Sequence, residues 1–237
     1  MLRNLLYNCC PFDWNDEWRL NVDRLNQYAP VFTGKKLVIV REGDGLVPLG
    51  EVRKAFTFDV EFIPLPNDPV LCEVSGFIET LAKLESCNCK EATFYAHTKG
   101  VSQTKELIGA VRKWRDTMYD QCLKDPVRVT QLLDYHATAG CFRSKNSFPT
   151  LITTPIAWHY SGAFWWAKHS TLFSHPRWRE VPQVRFGVEM YLGTLFPIES
   201  SACLYEDNLT RNLYNLTRNL YYLDPKPAPQ MAKWWEQ

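Results

Sequence analysis

Four short apolar runs, with helix-forming stretches between them, constrain this chain more than any other feature. Leu5-Leu6-Tyr7, Lys36-Leu-Val-Ile-Val40, Val60-Glu-Phe-Ile-Pro64 and Ala92-Thr-Phe-Tyr-Ala96 start roughly 25 to 30 residues apart. Each reads as a strand, and the second, apolar at consecutive positions, predicts burial on both faces. After the first run, Trp14, Trp18, Val22 and Leu25 fall on one helical face. Asp13 is placed to cap that helix, Asp16 and Glu17 suit its positive end, and Pro30 stops it. A short helix over Gly50 to Phe56 and another through Phe77, Ile78, Leu81 and Leu84 complete the alternation. The pattern predicts an α/β fold with a mostly parallel, Rossmann-like central sheet flanked by helices.

Beyond the fourth run the rhythm changes. Leu107, Val111, Trp114, Met118 and Cys122 predict a long amphipathic helix, and a second helix follows Asp125-Pro126 to about Ala139. Residues Gly140 to Thr154 read as loop. Then comes His159-Tyr-Ser-Gly-Ala-Phe-Trp-Trp-Ala167, which sets a His-Tyr pair before a Ser-Gly step and three aromatics after it. Glycine lets backbone approach another group closely. The stretch reads as a pocket wall for a flat ligand, or as core filler on a buried strand. Near the end, Asn208-Leu-Thr-Arg-Asn-Leu-Tyr214 recurs at once as residues 215–221, giving a two-turn apolar stripe suited to docking or a small dimer contact. The division expected is one domain over 1–205, its halves 1–104 and 105–205, with a helical extension over 206–237.

Bulk numbers exclude more than they assign. The 237 residues carry a formal net charge of +1, so no electrostatic footprint exists for unspecific nucleic-acid or membrane binding. No run reaches the ~20 apolar residues that a membrane helix needs, and the N-terminus lacks the features of a secretory signal. The eight cysteines have neither zinc-ribbon nor disulfide-framework spacing, so they read as reduced thiols of a cytoplasmic protein.

In an open parallel sheet, ligands bind beyond the carboxyl ends of the strands. The most chemical of those ends is His97-Thr98-Lys99-Gly100, where a lysine and a glycine after a buried strand suit an anion such as a diphosphate. Glu189, between Val188 and Met190, is a candidate general base, and Arg179 or Arg185 is a candidate ion-pair partner for it. His159 and His169 flank the aromatic stretch. No phosphate-binding loop, dinucleotide fingerprint, nucleophile elbow or zinc-protease motif is present. Nor is there an Asp-x-Asp pair; Glu206-Asp207 is the nearest acidic doublet. No metal ligands are assigned, and Mn²⁺ or Mg²⁺ is left as an optional cofactor.

These motifs, Tyr95-Ala-His-Thr-Lys-Gly-Val-Ser102, His159 to Ala167 and a late Arg185-x-x-x-Glu189, resemble those of a family of small glycosyltransferases of bacteria and their viruses, similar in fold to the GT-A nucleotide-sugar-binding type. The likeness spans about residues 5 to 195. Family members look like His-Phe-Ser-Gly-Asn-Phe-Trp-Trp, where Tyr160 and Ala163 stand here. The resemblance implies transfer of a hexose or pentose from a nucleotide-diphosphate donor, a UDP-sugar first, to a hydroxyl. Pro11, His97, Thr98, Lys99 and Gly100 would hold the donor, with Lys99 neutralising the leaving diphosphate in place of a metal. Tyr160, Ser161, Gly162, Phe164, Trp165 and Trp166 would line the sugar and acceptor side. Glu189, with His159, would be catalytic and the reaction inverting. The acceptor is a glycan or, in a viral setting, a modified DNA base served by Arg143, Lys145, Arg177 and Arg179. Two other readings stand beside this one: a non-catalytic carbohydrate-binding module, and an interaction protein whose aromatics only pack.

Overall fold

Seven strands form one sheet in the computed structural model, which describes residues 1–103, 105–145 and 157–206. The first four are parallel to one another: β1 (Leu2–Cys9), β2 (Lys36–Glu42), β3 (Glu61–Pro66) and β4 (Glu91–His97). Between them run α1 (Glu17–Gln27), α2 (Leu49–Ala55) and α3 (Phe77–Ala82). Asp13 does not cap α1. The helix begins later, and Asn15 Oδ1 accepts the Glu17 N–H at 2.9 Å.

The second half starts with α4 (Lys105–Leu123) and α5 (Pro126–Tyr135). It continues through β5 (Thr138–Cys141), β6 (Arg143–Lys145), β7 (Trp158–Tyr160) and β8 (Trp165–Lys168). Last come α6 (His169–Leu172), α7 (Gly187–Leu195) and β9 (Ser201–Tyr205). The sheet order is β3-β2-β1-β4-β8-β5-β9, and β6 with β7 makes a separate ribbon. β8 runs antiparallel to both neighbours, while β5 and β9 are parallel. The second helix therefore stops short of Ala139, and Thr138-Ala-Gly-Cys141, expected as helix end and loop, is a strand. Its residues are small, and only pairing with β8 and β9 makes them a strand.

Alternation along the strands feeds two cores. Leu5, Tyr7, Val38, Phe94 and Trp166 point to the side covered by α1, α2, α4 and α5. Leu6, Leu37, Ile39, Tyr95 and Trp165 point to the side covered by α3, α6 and α7. Residues 1–104 and 105–205 thus contribute to one continuous sheet. Among the described residues, no helix is long and apolar enough to cross a membrane. The 208–221 repeat, the tail and residues 146–154 of the expected loop lie outside the described residues.

At the amino end of the sheet, His169 is fully buried, with Nε2 at 2.7 Å from Thr93 Oγ1 and Nδ1 at 3.3 Å from Glu91. Burial pushes it down to about 4, against the pull of Glu91. The unfolded chain binds this proton below about 6.5 and the folded protein resists it, so the contribution is complete above that pH and lost on acidification. Stability is expected to fall by about 3 kcal/mol from this group between pH 6.5 and 4. Denaturant melts of wild type and His169→Gln across that range check it, the variant losing this part of the slope.

Candidate active site at the carboxyl edge

Because β8 runs backwards through the sheet, its first residue, Trp165, pairs with Tyr95 near the end of β4 and with Gly140 near the end of β5. The turn Ser161–Phe164 that leads into β8 therefore sits at the same edge as His97 and Lys99. α7 packs on β7 and brings Glu189, in its first turn, to this edge. A fourth piece is the short 3₁₀ turn Cys72–Val74 after β3, which carries Glu73.

The polar groups of these pieces meet. His97 Nδ1 pairs with the Glu73 carboxylate, and Nε2 donates to the Gly162 carbonyl at 3.1 Å. The Gly162 backbone acts favourably on the Glu189 carboxylate. His159 Nε2 lies 3.6 Å from Glu189 and 3.1 Å from Ser161 Oγ. Both contacts fall on one ring nitrogen, so Ser161, His159 and Glu189 do not make a nucleophile–base–orienter triad, which uses the two nitrogens separately. Lys99 Nζ sits 4.1 Å from the centre of the Trp114 ring. Asn21, fully buried on α1, fixes the Lys99 backbone from both sides: Oδ1 accepts its N–H and Nδ2 donates to its carbonyl, each at 2.9 Å.

Electrostatics set the two carboxylates apart. Burial raises Glu189 above the usual carboxylate value, outweighing Lys99, the Gly162 backbone and His97. Burial would raise Glu73 as well, but His97, Lys99 and Arg185 together pull it down to about 2. One carboxyl is thus a firm anion and the other a proton acceptor of raised basicity, the separation that acid-base chemistry uses. Burial pulls the Lys99 ammonium down from its ordinary value, while Glu189 and Glu73 oppose that shift. Arg41 adds a further buried cation, its Nη2 donating to the Ser75 carbonyl at 2.6 Å.

The other expected ligand residues take different places. Phe164, Trp165 and Trp166 are wholly buried, and Trp166 Nε1 donates to the Cys122 carbonyl at 2.9 Å. Tyr160 is buried too, its hydroxyl donating to the Ala202 carbonyl at 2.8 Å. None of these rings offers a face to a sugar; the aromatic stretch is core, because alternate residues of β8 fill the two cores in turn. Thr98 ties β4 to β1, giving its N–H to Asn8 and accepting the Cys10 N–H on Oγ1. Gly100 turns the chain at φ +85 against Val111, and Pro11 is buried with its carbonyl accepting the Val47 N–H. Of the expected donor set, only His97 and Lys99 belong to the polar cluster. His159 does as well, but it is only 2 % exposed.

Gly162 proves to be a joint rather than an opening. Its φ is +91, and a Cβ there would meet Met118 Sδ at 2.7 Å and Trp114 Cζ2 at 3.0 Å. Gly162→Ala is expected to cost about 2 kcal/mol or more, from backbone strain and the forced contact; thermal melts measure it. Ala163 stands at φ 56 and is buried. Asparagine tolerates that left-handed backbone better than alanine, a backbone reason for the asparagine of the resembled family.

Glu73, Asn21 and Arg41 were not found from sequence. Glu73 lies in a proline-punctuated loop without periodicity, and nothing local marks it. Asn21 sits on the buried face of α1, where a polar residue at an apolar position is itself a signal. Arg179, expected as a possible partner of Glu189, pairs instead with Glu85 at 2.8 Å, and Arg177 pairs with Glu180. Arg143 donates to the Ile198 and Ser201 carbonyls. These arginines are committed within the fold and do not add to the cluster.

Among the described residues, no three His, Cys, Asp or Glu form a group that could hold a metal ion. The two carboxylates of the cluster face Lys99 and His97, which would repel a divalent cation, and Glu73 is already paired. The cluster suits an anion better: Lys99, His97, Arg41 and Arg185 act on the same small region as Glu73 and Glu189. Compared with known proteins, the chain matches no protein-family model and no curated protein.

Proposed function

We propose that the chain is a GT-A-like glycosyltransferase that moves a sugar from a nucleotide-diphosphate donor to a hydroxyl acceptor without a bound metal. The observation that carries this reading is that Glu189, a carboxylate of raised basicity, and Lys99 come to the same carboxyl edge of the sheet, near enough for their charges to act on each other. The family resemblance of the His97–Gly100 and His159–Ala167 motifs supports it, as does the sheet, in which one antiparallel strand joins a four-stranded parallel half to the rest.

In this reaction Glu189 takes the proton of the acceptor hydroxyl as its oxygen attacks the anomeric carbon. The bond from that carbon to the diphosphate breaks, and its electron pair leaves with the diphosphate. Lys99, supported by Arg185, meets the growing negative charge, a stabilisation that is strongest where water is excluded. Attack opposite the leaving group inverts the anomeric centre.

Calorimetric titration with UDP, GDP, CDP and ADP, each with and without manganese, tests the proposal. One nucleotide is expected to bind at micromolar Kd without metal, and Lys99→Ala to weaken it by about tenfold to a hundredfold. A strict manganese requirement overturns the role given to Lys99. Absence of binding by all four overturns the transferase reading and leaves a carbohydrate-binding or interaction protein.

A further inference from the structure

Arg41 is a buried charge that the transfer chemistry does not use. Its residue is 2 % exposed, and its hydrogen bonds among the described residues all go to neutral oxygens. Nε donates to Asn8 Oδ1 at 3.3 Å, Nη1 to the Pro66 carbonyl at 3.4 Å and Nη2 to the Ser75 carbonyl at 2.6 Å. Glu73 is the carboxylate whose charge reaches it, but that carboxylate pairs with His97. Burial accordingly pulls the guanidinium below its ordinary value. A buried charge without a counter-charge in contact is strongly destabilising.

Beside Arg41 stands a surplus of donors. Alternation puts Arg41 of β2, Asn8 of β1 and Tyr95 of β4 on one face of three adjacent strands, the face of Ile39 and Leu6. The segment after β3 covers them, Ser75 lying on Arg41 and the Phe77 ring edge-on to Tyr95 at 5.4 Å. Asn8 and Tyr95 are 2 % and 0 % exposed, and neither Asn8 Nδ2 nor the Tyr95 hydroxyl has a partner among the described residues. Burial holds the Tyr95 phenol well above its ordinary value, so it keeps its proton and can donate. A water would bring two hydrogens that need acceptors, and the Pro66 and Ser75 carbonyls already serve Arg41; an anion only accepts. We propose that Asn8, Arg41 and Tyr95 bind a small inorganic anion, of the size and charge of chloride, beneath the turn that carries Glu73. Burial of all three residues limits the ligand to that size. The ion balances Arg41 and keeps the Ser75 carbonyl, and with it the turn, fastened to the sheet.

Thermal melts of the full chain at one ionic strength, with potassium chloride replaced stepwise by potassium gluconate, test this. Wild type is expected to melt about 3 to 10 °C higher in chloride, the shift of a site filled about tenfold to a hundredfold above its Kd. Bromide is expected to act as chloride does. In crystals grown with bromide, an anomalous diffraction peak is expected within hydrogen-bond reach of Asn8 Nδ2 and the Tyr95 hydroxyl. Asn8→Asp has the same shape and sets a fixed carboxylate beside Arg41. It is expected to melt in gluconate as wild type does in chloride, with no further response to halide. Tyr95→Phe keeps the ring and removes one donor, and about half of the halide shift is expected to go with it. Wild-type melting that ignores the choice of anion overturns the proposal. So does a halide response as large in both variants as in wild type, which is a general salt effect. A bromide-grown crystal with water in this place overturns it as well.

Discussion

Glu189→Gln is expected to cut the rate of sugar transfer by about 10³-fold, within the range that a positioned base contributes. Glutamine keeps the shape and loses the ability to take a proton. The same variant is expected to melt at a higher temperature than wild type at neutral pH. The sign follows from the raised value of Glu189: the folded protein holds this proton more tightly than the unfolded chain. Stability contributed by the group is therefore greatest at acid pH and declines as pH rises through the folded value, and the neutral amide avoids the decline. Activity runs the opposite way, lost as pH falls through that value, with an acid limb above the ordinary carboxylate range. A rate assay and a melt on one sample decide both. A variant that is slow but less stable would show that Glu189 serves the fold.

Trp166→Ala is expected to destabilise the protein by about 3 to 5 kcal/mol, a large part of what a domain of this size has to spare. The ring is fully buried, stacked near Phe32 and tilted on Phe94, and its Nε1 satisfies the Cys122 carbonyl. Truncation leaves both a cavity and an unmet acceptor. The variant is expected in the insoluble fraction or with a much lower denaturation midpoint, and Trp166→Phe is expected to soften the loss. A folded, stable Trp166→Ala protein with impaired ligand binding would instead return this ring to the pocket wall. The experiment separates the two meanings of the aromatic stretch that sequence alone left open.

Those two meanings show where reading the chain succeeds. β1, β2 and β4 were legible because each is a run of apolar residues buried on both faces, and β3, a half-exposed edge strand, because Phe62-Ile63 stands between turn signals. α4 was legible from apolar residues at helical spacing. β5 and β9 were not, since Thr138-Ala-Gly-Cys and Ser201-Ala-Cys-Leu-Tyr become strands through partners more than twenty residues away. His97, Lys99, Glu189 and His159 were legible as chemistry-bearing residues beside strand ends or within odd motifs. Glu73 was not, because its role comes from a turn that folds back over β4. Trp165 and Trp166 misled for a simple reason: large flat rings serve a core as well as a sugar, and only the alternation along β8 shows that both are used inward.

The reversed direction of β8 has a consequence for how the chain can be made. Until Trp165–Lys168 emerges during synthesis, β4 is a bare edge, with its unpaired N–H and C=O groups open to any other strand. The first hundred residues are therefore a poor candidate for expression as a separate piece, since the edge of β4 is paired only when a segment some seventy residues later is inserted beside it. Growth of the chain, rather than a division into halves, sets the moment at which Lys99 and Glu189 first meet.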